Sequence, residues 1–270
     1  MKISSKVWDK YVADLRKIND KAAELVAAYY TAHPPITNAA LDGLIAYCYG
    51  IATKYGEAAA ELTAQMYDAV ALADGKILEA AFPAETATYD EVARTVVGTI
   101  KVTADTEAIG ASVARLVKMA GVDTTMQNAL RDGAEWAWVP RGMTCAFCIM
   151  LASQGWQPAS RNAIKGGHAE HIHANCDCTY AIRFDRSSNV AGYDQKEYED
   201  LYYYEHNADG SIKVENGKPV PRAGSSRNKL KSMRRDFYAR NKEVINEQKR
   251  DAYAKREERN SSAAEETNIG

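Results

Sequence analysis

Four of the chain's five cysteines fall within one short stretch, at positions 145, 148, 176 and 178, and His168, His171 and His173 stand among them. No other feature restricts the fold as strongly. Thiols crowded in this way either cross-link or share a metal ion, and both outcomes tie separate pieces of backbone together. The opening residues, MKISSKVWDKYVADL, carry charges throughout, without the apolar core and small-residue cleavage site of a secretory leader. The expectation is a chain that folds in a reducing cytosol, where structural disulfides are rare and clustered thiols favour metal.

The spacing sharpens that expectation. Cys145-Ala146-Phe147-Cys148 is a C-x2-C unit, whose backbone can fold into a knuckle and present two thiolates to one ion. In His173-Ala174-Asn175-Cys176-Asp177-Cys178, the pair His173 and Cys176 repeats the same separation. Two such pairs supply the four soft ligands of a tetrahedral structural zinc site, and thiolate with imidazole selects zinc over magnesium or calcium. The predicted set is Cys145, Cys148, His173 and Cys176, with Cys178 as the main substitute and His168 or His171 as further candidates. In an extended segment Cys176 and Cys178 point to opposite faces, whereas a tight turn lets both bind. Cys48 sits in an apolar helical stripe and reads as core.

Catalytic readings of the same residues are weaker. His168-Ala169-Glu170 imitates the H-x-E of zinc deaminases, but there the C-x2-C follows the histidine and carries a preceding proline. Here Cys145 and Cys148 come first, and Thr144 precedes them. Cys-His nucleophilic catalysis needs an orienting third group that spacing cannot reveal. A zinc-supported nuclease acting on nucleic acid, using His173 and Asn175, remains the alternative function, although no metal-binding carboxylates accompany it.

The first 135 residues read as a helical bundle or hairpin array. Trp8, Tyr11, Leu15, Ile18, Ala22, Leu25 and Tyr29 recur at steps of three and four, a seam that packs on another helix or another copy of the chain. Its intramolecular partner would be the stripe from Leu41 to Val70, with a break near Gly56. Thr88 and Glu91 have the spacing of a capping box ahead of Val92, Val96 and Ile100. Ile109, Val113, Leu116 and Val117 predict a helix stopped by Gly121, and Met126 to Leu130 opens another. Residues 135–139 alternate as a strand, and turns at 207–210 and 215–217 flank a strand over 211–214. The predicted fold is mainly α: a helical bundle over 1–135, a small zinc-stapled α+β domain over 136–221, a basic helix over 222–259 and a disordered tail over 260–270. Hydrophobic residues make up 46% of the chain, and no run approaches the roughly 18 apolar residues of a membrane span.

Charge is distributed unevenly. Residues 222–259 carry a formal net charge of +7, and the rest of the chain −9. Arg227, Lys229, Lys231, Arg234 and Arg235 lie within nine residues that contain no acid. Such a run favours phosphate contacts, so these five are the candidate nucleic-acid-binding residues, with an acidic protein surface as the other possible partner.

The stretch Thr144-Cys145-Ala146-Phe147-Cys148-Ile149-Met150-Leu151-Ala152-Ser153-Gln154-Gly155, followed by His173-Ala174-Asn175-Cys176-Asp177-Cys178, resembles the C-terminal signature of Mu F-like minor head proteins of tailed phages. That family shows C-x2-C, a variable loop, then H-x2-C-x-C, and all five positions are present. The resemblance covers residues 136–184; Ala146 and Ala174 stand where many members have proline. It implies a minor capsid or head morphogenesis protein, made in the host cytoplasm, present in few copies inside the head of the virion. It also implies contact with the portal or major capsid protein, packaged DNA as the nearest polyanion, and no enzymatic role.

Overall fold

A computed structural model describes residues 3–103, 105–140, 145–160, 178–190, 192–240, 242–243, 246–247 and 250. Two compact units emerge: Met1–Thr144 with Gln154–Gln195, and Cys145–Ser153 with Lys196–Gly270.

The first unit is built on four helices, α1 (Ser5–Ala32), α2 (Asn38–Ala73), α3 (Tyr89–Val102) and α4 (Thr106–Asp132). Their starts follow from side chains that accept otherwise unpaired amides. Ser4 caps α1, Thr37 caps α2 and Asp105 caps α4. At α3 the expected capping box is complete, with Thr88 and Glu91 each accepting from the other's backbone. The α1 seam is covered by the chain itself. Trp8, Tyr11, Ala22 and Val26 are buried, and the helix packs on α4 as well as α2. The intramolecular reading of the seam therefore holds, with α4 as an additional partner. Leu44, Cys48, Val92, Val96, Ile109, Val113 and Val117 complete the core.

Two expected interruptions are absent. Helix α2 runs unbroken through Gly56, and α4 runs through Gly121 to Asp132, so no separate helix opens at Met126. These glycines admit neighbours instead of ending helices. A Cβ at Gly56 would lie 2.9 Å from the Thr86 side chain, and one at Gly121 would lie 2.9 Å from Thr63 Oγ1. Gly110 is tighter still, its absent Cβ falling 2.5 Å from the Ala23 carbonyl oxygen. Helix α4 thus approaches the backbone of α1 at one point and the side chains of α2 at another.

Residues 74–88 join α2 to α3 without regular structure. Asn128, buried on α4, clasps this strap like a β-strand neighbour: its Oδ1 accepts the Phe82 amide at 3.1 Å and its Nδ2 donates to the Phe82 carbonyl at 2.8 Å. Arg131 donates to the carbonyls of Glu79 and Ala80, and Thr124 accepts the Ala84 amide.

Beyond α4, Gly133 adopts a left-handed φ of 68° and turns the chain into β1 (Glu135–Val139), as the alternation predicted. Strand β1 lies between β2 (Gln157–Pro158) and β3 (Thr179–Arg183), antiparallel to both. Trp138 pairs with Tyr180 across the sheet, and their rings meet edge to face at 4.7 Å. Asp74, at the end of α2, accepts the Phe184 amide at 3.0 Å and the Ser188 hydroxyl at 2.9 Å, tying the sheet to the bundle.

The second unit comprises α5 (Ala146–Ala152), α6 (Gln195–Tyr203, which begins at the last residue of the first unit), the hairpin β4 (Val214–Glu215) with β5 (Lys218–Pro219), and α7 (Ser226–Arg240). Asn216 and Gly217, at φ 51° and 74°, form the hairpin turn, where both positions need left-handed backbone. The strand expected over 211–214 is shorter: Ile212 makes a lone bridge to His206, and pairing begins at Val214. Met233, Tyr202 and Ala146 form a small core with Ile149, Met150 and Leu230 around them. Beside it the Arg222 guanidinium, 1% exposed, donates to Asp236 at 2.6 Å, Ser232 at 2.8 Å and the Leu201 carbonyl at 3.2 Å. Of the basic helix expected over 222–259, α7 forms Ser226–Arg240 and residues 222–225 precede it outside the helix; the tail at 260–270 lies outside the described residues.

Candidate functional site

The C-x2-C unit opens α5. Cys145 is the N-cap, in extended conformation, and its Sγ accepts the Cys148 amide at 3.5 Å. One sulfur therefore caps the first turn of α5. Cys148 is buried and Cys145 half-buried. Cys178 is buried at the entrance to β3, in the first unit. His173 and Cys176, like His168 and His171, lie outside the described residues. Among the described residues no three histidine, cysteine or acidic side chains gather as a metal site. The structure thus places Cys145 and Cys148 on the first turn of α5 and leaves the ligand set as a sequence assignment. Cys48 is fully buried in the helical core, which pushes its thiol up to about 12, as expected of a packing residue.

The five candidate cations all lie on α7 and separate into two groups. Lys229 is half-buried, its Nζ 4.5 Å from the centroid of the Tyr203 ring and 5.2 Å from that of Tyr202. It helps dock α7 on α6. Arg227, Lys231, Arg234 and Arg235 are exposed. Their spacing of four, three and one places them on one helical face, over a rise of about 12 Å. Leu230 and Met233 turn towards the small core, and Asp236 points to the opposite side, where it is bound to Arg222.

Sequence reasoning missed a cavity of about 490 Å³ in the first unit, between α1, α4 and β3. Tyr11, Asn19, Thr63, Thr125, Cys178 and Thr179 are among its lining residues. Tyr11 shares a 3.1 Å hydrogen bond with Thr63, and burial pushes its phenol up to about 12 against the opposing effect of Thr63 and Thr179. It remains a neutral phenol across the physiological range. Thr63, a polar interruption of the α2 stripe, was the one local signal available.

Among the described residues no helix is long and apolar enough to cross a membrane. A family model described as VG15 protein matches residues 2–204, and the chain belongs to this phage-associated family of viral proteins. No curated protein and no solved structure matches it. The match spans the four helices, the sheet, the cysteine cluster and α6, and ends before the hairpin and α7. It agrees with the Mu F-like resemblance at the level of a phage-associated protein.

Proposed function

We propose that this member of the VG15 family is a minor capsid or head morphogenesis protein, carrying a Mu F-like cysteine module, that lies inside the virion head against the portal or major capsid protein. Its role is structural and not enzymatic. One observation carries the reading: the five-position signature, Cys145, Cys148, His173, Cys176 and Cys178, falls within the span matched by a phage-associated family. The strap gives further support. Ile77 is 98% exposed, with Leu78 and Phe82 also exposed, on a segment pinned by Asn128 and Arg131. A rigidly held apolar surface of this kind suits a chain that assembles with other proteins.

Within this reading, Cys145, Cys148, His173 and Cys176, with Cys178 as substitute, hold one zinc ion. Four protein ligands leave no position for water, so the ion supplies a cross-link and no chemistry. Elemental analysis of the dialysed full chain should find about one zinc per molecule; a folded chain without metal removes the zinc assignment while leaving the head assignment intact. The head assignment is tested by quantitative mass spectrometry of purified particles from the phage that encodes the chain. The expected result is its presence in far fewer copies than the major capsid protein, with cross-links to the portal. A chain abundant in the lysate and missing from the particles overturns it.

A further inference from the structure

We infer that Arg227, Lys231, Arg234 and Arg235 form a docking surface for the phosphate backbone of duplex DNA. The surface lies on α7, outside the region matched by the family, and the inference stands without the head assignment. Three features of α7 support it. Its orientation is fixed: Met233 is buried with Tyr202 and Ala146, and Lys229 lies over two tyrosine rings, so the four exposed cations face away from the unit's core. Its charge is not quenched from within, because Asp236 is bound to Arg222 on the opposite side. Its composition is one-sided. Between Ser226 and Asp236 the stripe contains three arginines, one lysine and no apolar residue.

That composition selects the occupant. Folded protein partners meet around an apolar centre, and the stripe has none. A polymer of evenly repeated charge needs only a track of cations, and arginine forks match phosphate oxygens two at a time. The region outside 222–259 carries net −9 and disfavours DNA, so contact is concentrated within 222–259, where the acid-free run lies on α7. Binding is therefore local, independent of base sequence and strongly dependent on salt.

The test is anisotropy titration of the full chain with a random-sequence duplex between about 50 and about 300 mM salt. Four phosphate contacts predict a log–log slope of about −3.6, at about 0.9 per contact. Replacing all four residues by glutamine should weaken binding at least about tenfold near 100 mM salt and remove most of that slope. Arg227→Lys, Arg234→Lys and Arg235→Lys together keep the charge and should keep the slope, which separates lost phosphate contacts from a damaged fold. Lys229→Gln should leave the slope unchanged. Failure of the parent chain to bind at the lowest salt, or a glutamine variant with the parent's affinity and slope, overturns the inference. Binding of poly-glutamate as tight as that of DNA, lost in the same variant, also overturns it and reassigns the surface to an acidic protein.

Discussion

The four-helix unit and the unit around α7 solve the same problem with different materials. In the first, aliphatic side chains such as Leu44, Val92, Val113 and Val117 fill a continuous core, and Gly110 brings α4 against the backbone of α1. In the second, a small apolar cluster around Ala146, Tyr202 and Met233 shares the task with a buried arginine and its three acceptors. A large apolar core tolerates the loss of a polar contact but responds to changes in volume. A small core depends on its polar anchor, because a charge left buried without its partner costs more than the pair contributes.

The comparison is most exposed at Leu44. Leu44→Ala should lower the unfolding free energy by about 2–5 kcal/mol in urea titration, the usual cost of a buried leucine cavity. A loss under about 1 kcal/mol would show a core that collapses freely, unlike the packed one described. Next comes Asp236→Ala, which strands the Arg222 guanidinium at a cost of roughly 1.5–3 kcal/mol. Hydrogen exchange should quicken across 196–240 while α1–α4 stay protected. Equal acceleration in both regions would erase the distinction between the units.

The smallest effect concerns a half-buried carboxyl on α4. Burial, with the Glu91 carboxylate adding, pushes Asp123 up to about 6. Its folded pKa thus exceeds the unfolded one, so the folded state favours the neutral acid. The stability this gives is fully present below about pH 4 and is lost as pH rises through 6. Asp123→Asn should therefore match its parent near pH 4 and exceed it near pH 7 by on the order of 1–2 kcal/mol. The difference between the two chains across pH, read by thermal unfolding, isolates this group. A constant difference would mean that Asp123 does not titrate in that window.

Much of the helical unit was legible in the sequence because burial writes a period of three to four residues into it. The α1 seam and the Thr88–Glu91 box carried enough local information to set helix faces and starts. Gly56 and Gly121 were misread because a glycine has the same signature when it ends a helix as when it admits a neighbour, and the neighbours Thr86 and Thr63 are remote in sequence. The cation run was plain as charge, yet only the tyrosines of another helix separate Lys229 from the other four. The cavity beside Tyr11 depends on three elements meeting, which no local pattern encodes. Of the predicted metal ligands, Cys145 and Cys148 lie on the first turn of α5, and His173 and Cys176 fall outside the described residues.

The close approach of Gly110 to Ala23 has a consequence for how the chain is born. Helix α1 ends at residue 32, but the helix that covers much of its apolar face is complete only at residue 132. A ribosome adding about 5–20 residues per second leaves that face uncovered for on the order of 5–20 s. Until then Trp8 and Val26 have α2 alone for shelter, and that only after residue 73 has been made. The nascent chain is therefore most vulnerable to aggregation and to trigger-type chaperones before α4 emerges, and a pause in translation ahead of residue 132 would prolong the danger.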